Sequence, residues 1–430
     1  MQQLTYTTIT NQKNGKPCYA ILFFICITAL IQFLFIFVRV HLFSEEEFLV
    51  GLGLMIGASE FGRKGNQLWT ESNGHSQGEE AEVWESMISE PRFDQYMKHY
   101  RFKDLRRFLP LAFQCEKLKE KGDPWWQFQW AVDEFNRLRA DRILHSSWVA
   151  FDESMSAWRP RTTKTGDLPN ISFIKRKPEP LGKVMAGCCM HVLMFSLNLF
   201  FSFFHKGTEF KCIACPITGV MLFLEIQRGK DGMKDQLHHR ALGATAGCTV
   251  RMSERCAQVK GVKADAWFGS VLTCVELVTR GYEGIFQVKQ NHGQYPKDYI
   301  EKALEKAPGG ISIVLKAVAS NEKPIIAMGY RYNAKKTLFF IMSPGAGKTT
   351  PGEAYRMRYT DGFGNVMTWL VERPDVISKF FNDSNTIDSH NQSRQYDLGM
   401  EKCWVTTDAY FQLTTTLIGM NVCNTWKIAD

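Results

Sequence analysis

No second Cys-x-x-Cys pair accompanies Cys212 and Cys215 in this 430-residue chain. A four-cysteine zinc site needs two such pairs, so the lone motif reads as two thiols at a strand end. The twelve cysteines also lack the spacings of a disulfide scaffold; apart from Cys188-Cys189 they are scattered. That points to a reducing compartment. There the Asn170-Ile171-Ser172, Asn382-Asp383-Ser384 and Asn391-Gln392-Ser393 sequons carry no meaning. A strong charge of one sign is missing too. With 52 basic and 44 acidic residues the net charge is +8, which permits a polyanionic partner without requiring one. A complete phosphate-binding loop is absent as well. Ser343 to Thr350 ends in Gly347-Lys348-Thr349, but the glycine required five residues before Gly347 is Met342. ATP or GTP binding is not expected there.

What is present reads as a chain of two or three domains. Cys18 to Val38 is apolar except for Thr28 and Gln32, with Lys13, Lys16 and Arg39 flanking it. That length can cross a bilayer, so a transmembrane anchor is one reading of residues 1–43. Ser44-x-x-Glu47 is a capping box, and Phe48, Leu52, Met55 and Ile56 follow at helical spacing. Further helices are expected over Ala81 to Tyr100 and Trp125 to Leu144. Residues 44–145 therefore read as a helical domain.

Strand patterns then take over: Trp148 to Ala157, Thr208 to Pro216, Val220 to Ile226, Gln258 to Ala264 and Gly284 to Lys289. A helix is expected over Val271 to Thr279. Strands interleaved with helices imply an α/β core, over residues 146–295. Residues 296–380 carry the strand-like runs Ile311 to Ala317 and Thr337 to Met342 and read as an inserted lobe. Residues 381–430 return to helix, the last segment opening near Asp388.

Three aspartates stand at element ends or middles, far apart in sequence. Asp152 lies in the first strand, Asp265 where a strand gives way to a helix, and Asp388 at a helix start. Three carboxylates delivered to one point are what two hard Mg²⁺ ions need to clamp a phosphodiester. Strand alternation turns Glu153 to the opposite face, leaving Asp152 alone as the ligand of that pair. Asn391 falls one helical turn after Asp388 and can support it. Between and beyond, Arg159, Arg161, Lys164, Lys175, Arg176 and Lys177 face only Asp167 in opposition. Cations beside a carboxylate site suit a DNA backbone.

These residues resemble the transposase domain of piggyBac-type elements and of host proteins derived from them. Glu47 to Met55, Met87 to Phe93, Asp152-Glu153-Ser154-Met155, Lys177-Pro178, Asp265 to Ser270, and Phe381 through Gln392 resemble that family's motifs in order. The resemblance runs from about Ser44 to about Ile428. It implies an RNase H-like catalytic core, preceded by a helical domain for DNA binding or dimerisation and split by an insertion domain. It implies that Asp152, Asp265 and Asp388 hold two Mg²⁺ ions, or Mn²⁺ in their place, for DNA cleavage and strand transfer. Double-stranded DNA with transposon ends, TTAA targets, a homodimer and a nuclear location follow from the same resemblance.

Three departures accompany it. Asn391 stands where many members have a further aspartate. No cysteine-rich zinc module is found before Asp430. Residues 183–207 interrupt the matching sequence, and joining Gly182 to Thr208 restores it. The phenylalanine, serine and leucine of Phe195 to Phe204 are what pyrimidine-rich intron codons encode; residues 18–38 have the same flavour. Both runs therefore read either as translated intron or as genuine protein. Besides an active recombinase, two functions stay open: a catalytically silent DNA-binding remnant, and a membrane-anchored protein of unrelated role.

Overall fold

The computed structural model describes residues 43–59, 68–69, 93–158, 165–174, 205–256, 258–289, 292–319, 322–333, 335–352, 354–360, 364–404 and 406–429. Its first elements are helices α1 (Glu45–Gly57), α2 (His99–Phe108), α3 (Glu116–Glu120) and α4 (Gln129–Arg142). Strands β1 (Trp148–Ala157), β2 (Ser172–Ile174), β3 (His205–Ala214) and β4 (Met221–Ile226) come next, then α5 (Gly229–Lys234) and α6 (His239–Arg255). They are followed by β5 (Gly261–Ala264), α7 (Val271–Thr279), β6 (Glu283–Gln287) and α8 (Lys297–Leu304). Strands β7 (Ser312–Val318), β8 (Pro324–Asn333), β9 (Lys336–Met342), β10 (Tyr355–Thr360) and β11 (Val366–Val371) complete the sheets. Helices α9 (Asp375–Ser384), α10 (Thr386–Gln392), α11 (Met400–Cys403) and α12 (Ala409–Ala429) close the chain.

Two compact units form. One draws on residues 1–134, 155–209 and 390–430, the other on 135–154 and 210–389. In the first, α1 starts at the expected capping box. The Ser44 hydroxyl accepts from the Glu47 amide at 3.1 Å, and Glu47 Oε2 accepts from the Ser44 amide at 3.1 Å. Glu47 also receives Arg101 of α2 at 2.8 Å. The helix expected up to Tyr100 is interrupted: Phe93–Gln95 form a 3₁₀ turn and α2 begins only at His99. Met97 explains part of this, because its carbonyl accepts from the Trp69 indole at 2.8 Å instead of from a helical amide. Residues 81–92 lie outside the described residues. The Trp404 indole in turn donates to the Met55 carbonyl at 2.8 Å, tying α1 to the chain's end.

The second unit is built on a mixed sheet in the order β3-β1-β5-β6-β9-β8-β7, with β4 paired to β3. β1, β5 and β6 are parallel; β3 and β4 are antiparallel, as are β6–β9, β8–β9 and β7–β8. Parallel strands need a crossover, and α7 supplies the one between β5 and β6. This α/β arrangement is that of the RNase H-like core the motifs imply. The strands of 312–342, read from sequence as a separate lobe, extend the same sheet through β9. Met328, Phe340 and Met342 of these strands pack with Ile285 of β6 and with Val376 and Phe380 of α9 in one buried cluster. Among the described residues, only β10 and β11 form a sheet of their own.

Of the segment 183–207, its last three residues belong to β3 and pair with β2 at Ser172↔Gly207, Phe173↔Lys206 and Ile174↔His205. A Cβ on Gly207 would lie 2.1 Å from the Ser156 carbonyl oxygen, so this close approach of β3 to β1 requires glycine. Residues 183–204 and the apolar run 18–38 lie outside the described residues. Among those described, no helix is long and apolar enough to cross a membrane.

Candidate active site

The register between two parallel strands creates the site. Phe151 of β1 is the partner of Ala264, the last residue of β5. The next position on each chain is an aspartate, so Asp152 and Asp265 arrive side by side where β5 stops. Loops and strand ends at the carboxyl edge of parallel strands are where α/β folds place their chemistry. Ligand oxygens of Asp152, Glu153 and Asp265 lie within 4.8 Å of one another.

Local sequence shapes this edge. Past Ala264 the chain turns, and the Trp267 amide donates to Asp265 Oδ1 at 2.8 Å. Gly269 lets the turn pass against β6, since a Cβ there would lie 1.9 Å from the Gln287 carbonyl oxygen. Phe268 is fully buried and meets Phe151 edge-on with ring centroids 5.9 Å apart. Ser270 then caps α7, accepting from the Thr273 amide at 3.0 Å. Burial holds the Asp265 carboxyl above the usual carboxylate range, and the neighbouring Glu153 adds to that; the Trp267 and Phe268 amides and Lys211 oppose it.

Glu153 corrects the sequence reading. Strand alternation was expected to turn it away from Asp152, yet its carboxylate reaches the same cluster. Alternation fixes only the direction of Cβ, and glutamate carries its oxygens two carbons further. Asp152 also bends back on the chain, its Oδ1 accepting from the Glu153 amide at 2.8 Å. Asp265, lying beyond the end of β5, is free of the pleat. Both Asp152 and Glu153 are 9% exposed, so their charges need compensation.

Part of it comes from Lys211 of β3, which sequence reasoning passed over. Its ammonium lies 3.0 Å from Glu153 Oε1, with the lysine side chain 1% exposed. The same ammonium sits 3.2 Å from the centroid of the Trp267 ring. The available signal was a lone lysine inside the apolar strand Phe210-Lys211-Cys212-Ile213-Ala214.

Asp388 does not stand in this group. It is exposed on α10, and Asn391 lies half-buried one turn further on. Arg159, Arg161, Lys164, Lys175, Arg176 and Lys177 all lie outside the described residues. Cys212 and Cys215 are buried free thiols, and Cys215 Sγ accepts from the Ser146 amide at 3.4 Å. The Ser343 amide is spent on the Gly284 carbonyl at 3.0 Å, and its hydroxyl donates to Glu283.

A half-buried group of three carboxylates with one lysine beside it has an excess of negative charge. Hard oxygen donors of that net charge fit a divalent cation such as Mg²⁺ or Mn²⁺.

Comparison with known proteins agrees with this fold. The cryo-EM structure of a piggyBac transposase synaptic complex with hairpin DNA is similar, with a TM-score of 0.60 at 13% identity. The similarity covers 98% of this chain and 76% of that one. No curated protein matches the sequence. The family model described as Transposase IS4 matches residues 9–426. The chain therefore belongs to that transposase family, and its fold is similar to that of the piggyBac transposase.

Proposed function

We propose that the protein is a DNA transposase, or a recombinase derived from one, that cleaves and joins DNA strands at a divalent-metal site. The observation that carries this reading is the pairing of Asp152 with Asp265 at the carboxyl edge of β1 and β5, their oxygens within 4.8 Å. Asp152 and Asp265 would hold the ions, and Asp388 would add a third carboxylate from α10. Bound Mg²⁺ or Mn²⁺ supplies Lewis-acid polarisation of the phosphodiester oxygens. The protein's own part is to fix the ligands. The Trp267 and Phe268 amides hold the Asp265 carboxylate in one orientation, and the Glu153 amide does the same for Asp152.

In this reading water first attacks phosphorus at the element end and a DNA 3′ oxygen leaves, taking a proton. That 3′-hydroxyl then attacks a target phosphodiester, giving up its proton while the target's own 3′ oxygen departs. Double-stranded DNA is the substrate. Arg159, Arg161, Lys164, Lys175, Arg176 and Lys177 would contact its phosphates. Action at TTAA targets, a homodimeric assembly and a nuclear location belong to the same proposal and rest on resemblance to piggyBac-type proteins.

The test is nicking of duplex DNA carrying candidate element ends, with Mg²⁺, Mn²⁺ or chelator. Metal-dependent nicking lost in Asp152→Asn supports the reading. Duplex binding with no nicking in any metal would identify a silent DNA-binding remnant instead, a reading in which the asparagine at 391 would be one sign of lost chemistry.

A further inference from the structure

Lys211 presents a problem that the proposed reaction does not answer. A lysine 1% exposed on a central strand is costly to bury, and replacing such a pair by apolar groups is often neutral or stabilising. Its ammonium nevertheless points into a group of carboxylates offered to metal ions. The contacts around it form a closed circuit. Lys211 pairs with Glu153, whose amide fixes the Asp152 carboxylate. Lys211 also lies against the face of Trp267, whose amide fixes the Asp265 carboxylate. One buried cation thus touches, through one intermediary each, both aspartates that face each other across β1 and β5.

We propose that Lys211 is the site's built-in counter-ion: it neutralises Glu153 and holds it out of metal coordination, leaving Asp152 and Asp265 as the ligands on this edge. Three carboxylates within 4.8 Å carry three negative charges, and one lysine leaves two, the charge of a single divalent ion. A compact ammonium suits this better than a guanidinium, because it offers a point charge to the indole face and one carboxylate oxygen. Trp267 is the second half of the device. Its ring lies 3.2 Å from the ammonium at the centroid, so Lys211 is held by a ring face as well as by the Glu153 carboxylate. Lys211 is a positioning residue and touches no DNA in this scheme.

The inference rests on the metal-dependent reading above, and Mn²⁺ binding separates the two. The full-length protein is titrated with Mn²⁺ alone, and free Mn²⁺ is followed by electron paramagnetic resonance. Glu153→Gln leaves Lys211 with an uncompensated charge beside the ions and is expected to weaken Mn²⁺ binding by about 10–100-fold. Lys211→Met in the Glu153→Gln background removes that charge and is expected to restore binding to within about threefold of the natural sequence. The double change keeps shape and leaves neither member of the Lys211–Glu153 pair as a charge without its partner, so it should fold even where Lys211→Met alone does not. A double variant that binds Mn²⁺ no better than Glu153→Gln overturns the proposal, because Glu153 is then itself a ligand. Absence of Mn²⁺ binding by the natural sequence overturns the metal reading, and this inference with it. Equal binding by the natural sequence and Glu153→Gln also overturns it, since Lys211 then exerts no charge on the ions.

Discussion

Lys263 of β5 forms an ion pair with Asp383 of α9, and the two side chains are only 7% and 19% exposed. Lys263 lies two residues before Asp265, and Asp383 five before Asp388. The pair therefore ties the helix leading to the third aspartate onto the strand leading to the second. α9 packs on β5 along the same contact, and the Lys263 ammonium lies 5.3 Å from the Trp148 ring centroid, at the start of the strand carrying Asp152.

Breaking one partner of such a pair strands a charge in a partly dry setting. Asp383→Asn is expected to cost about 3 kcal/mol in urea unfolding. Replacing both partners, Lys263→Met with Asp383→Leu, should recover most of that loss. An Asp383→Asn protein as stable as the natural one would show that the pair does not secure α9.

Removing a hard anionic ligand while keeping its shape should separate chemistry from folding. Asp152→Asn, Asp265→Asn and Asp388→Asn are each expected to abolish metal-dependent nicking with DNA binding and melting temperature largely intact. Asn391→Ala should cost less, about 10–100-fold, as a supporting group does. Asp388 is the sharpest of these, since it stands outside the carboxylate group. Near-natural nicking by Asp388→Asn would restrict the site to the β1–β5 edge.

Asp152 and Asp265 stand out in the sequence because each breaks a pattern: one interrupts an apolar strand, the other stands as strand yields to helix. The α7 bounds and the Ser44–Glu47 box were legible for the same reason, being purely local. Glu153 was not, because alternation describes Cβ atoms and says nothing of where a long side chain places its oxygens. Lys211 was hidden among apolar neighbours, where only the facing strand reveals a partner. The pairing of β6 with β9 joins Ile285 to Met342. No local pattern reports such a long-range register, which is why β7–β9 looked like a separate lobe.

Glu47 gives a test by pH. The hydrogen bond from Arg101 holds its carboxyl below the ordinary range, against a smaller opposing effect of burial. A carboxyl lowered in the folded state stabilises the protein above its unfolded value of about 4.5, and that stability is lost as pH falls through the folded value. Glu47→Gln preserves the capping geometry and removes the charge. Both side chains are partly exposed, so screening limits the loss to about 0.5–1 kcal/mol at pH 7. The difference between natural and variant protein should vanish once the pH has fallen below the lowered folded value. A difference that persists there would assign the effect to the cap and not to the ion pair.

The run from Lys183 to Gly207 offers the most direct test of what the fold requires. β2 and β3 are antiparallel, and Ile174 is paired with His205. Such neighbours can be joined by a very short turn, so the geometry needs little of the sequence between them. Deleting residues 183–207 joins Gly182 to Thr208. Gly182 then takes the position of Gly207, where a Cβ would meet the Ser156 carbonyl oxygen. The connection shrinks from about 30 residues to about 5, and loop closure then favours the folded state by about 1.5 kcal/mol. This variant is expected to fold, with higher soluble yield and an unchanged or raised melting temperature. Deleting residues 182–207 instead puts Leu181 in the glycine position. That change should push β3 off β1 and cost soluble yield, although the two constructions differ by one residue. If both deletions unfold the protein, residues 183–204 contribute structure of their own. If both fold equally well, the close approach at Gly207 is not what sets the spacing of β1 and β3.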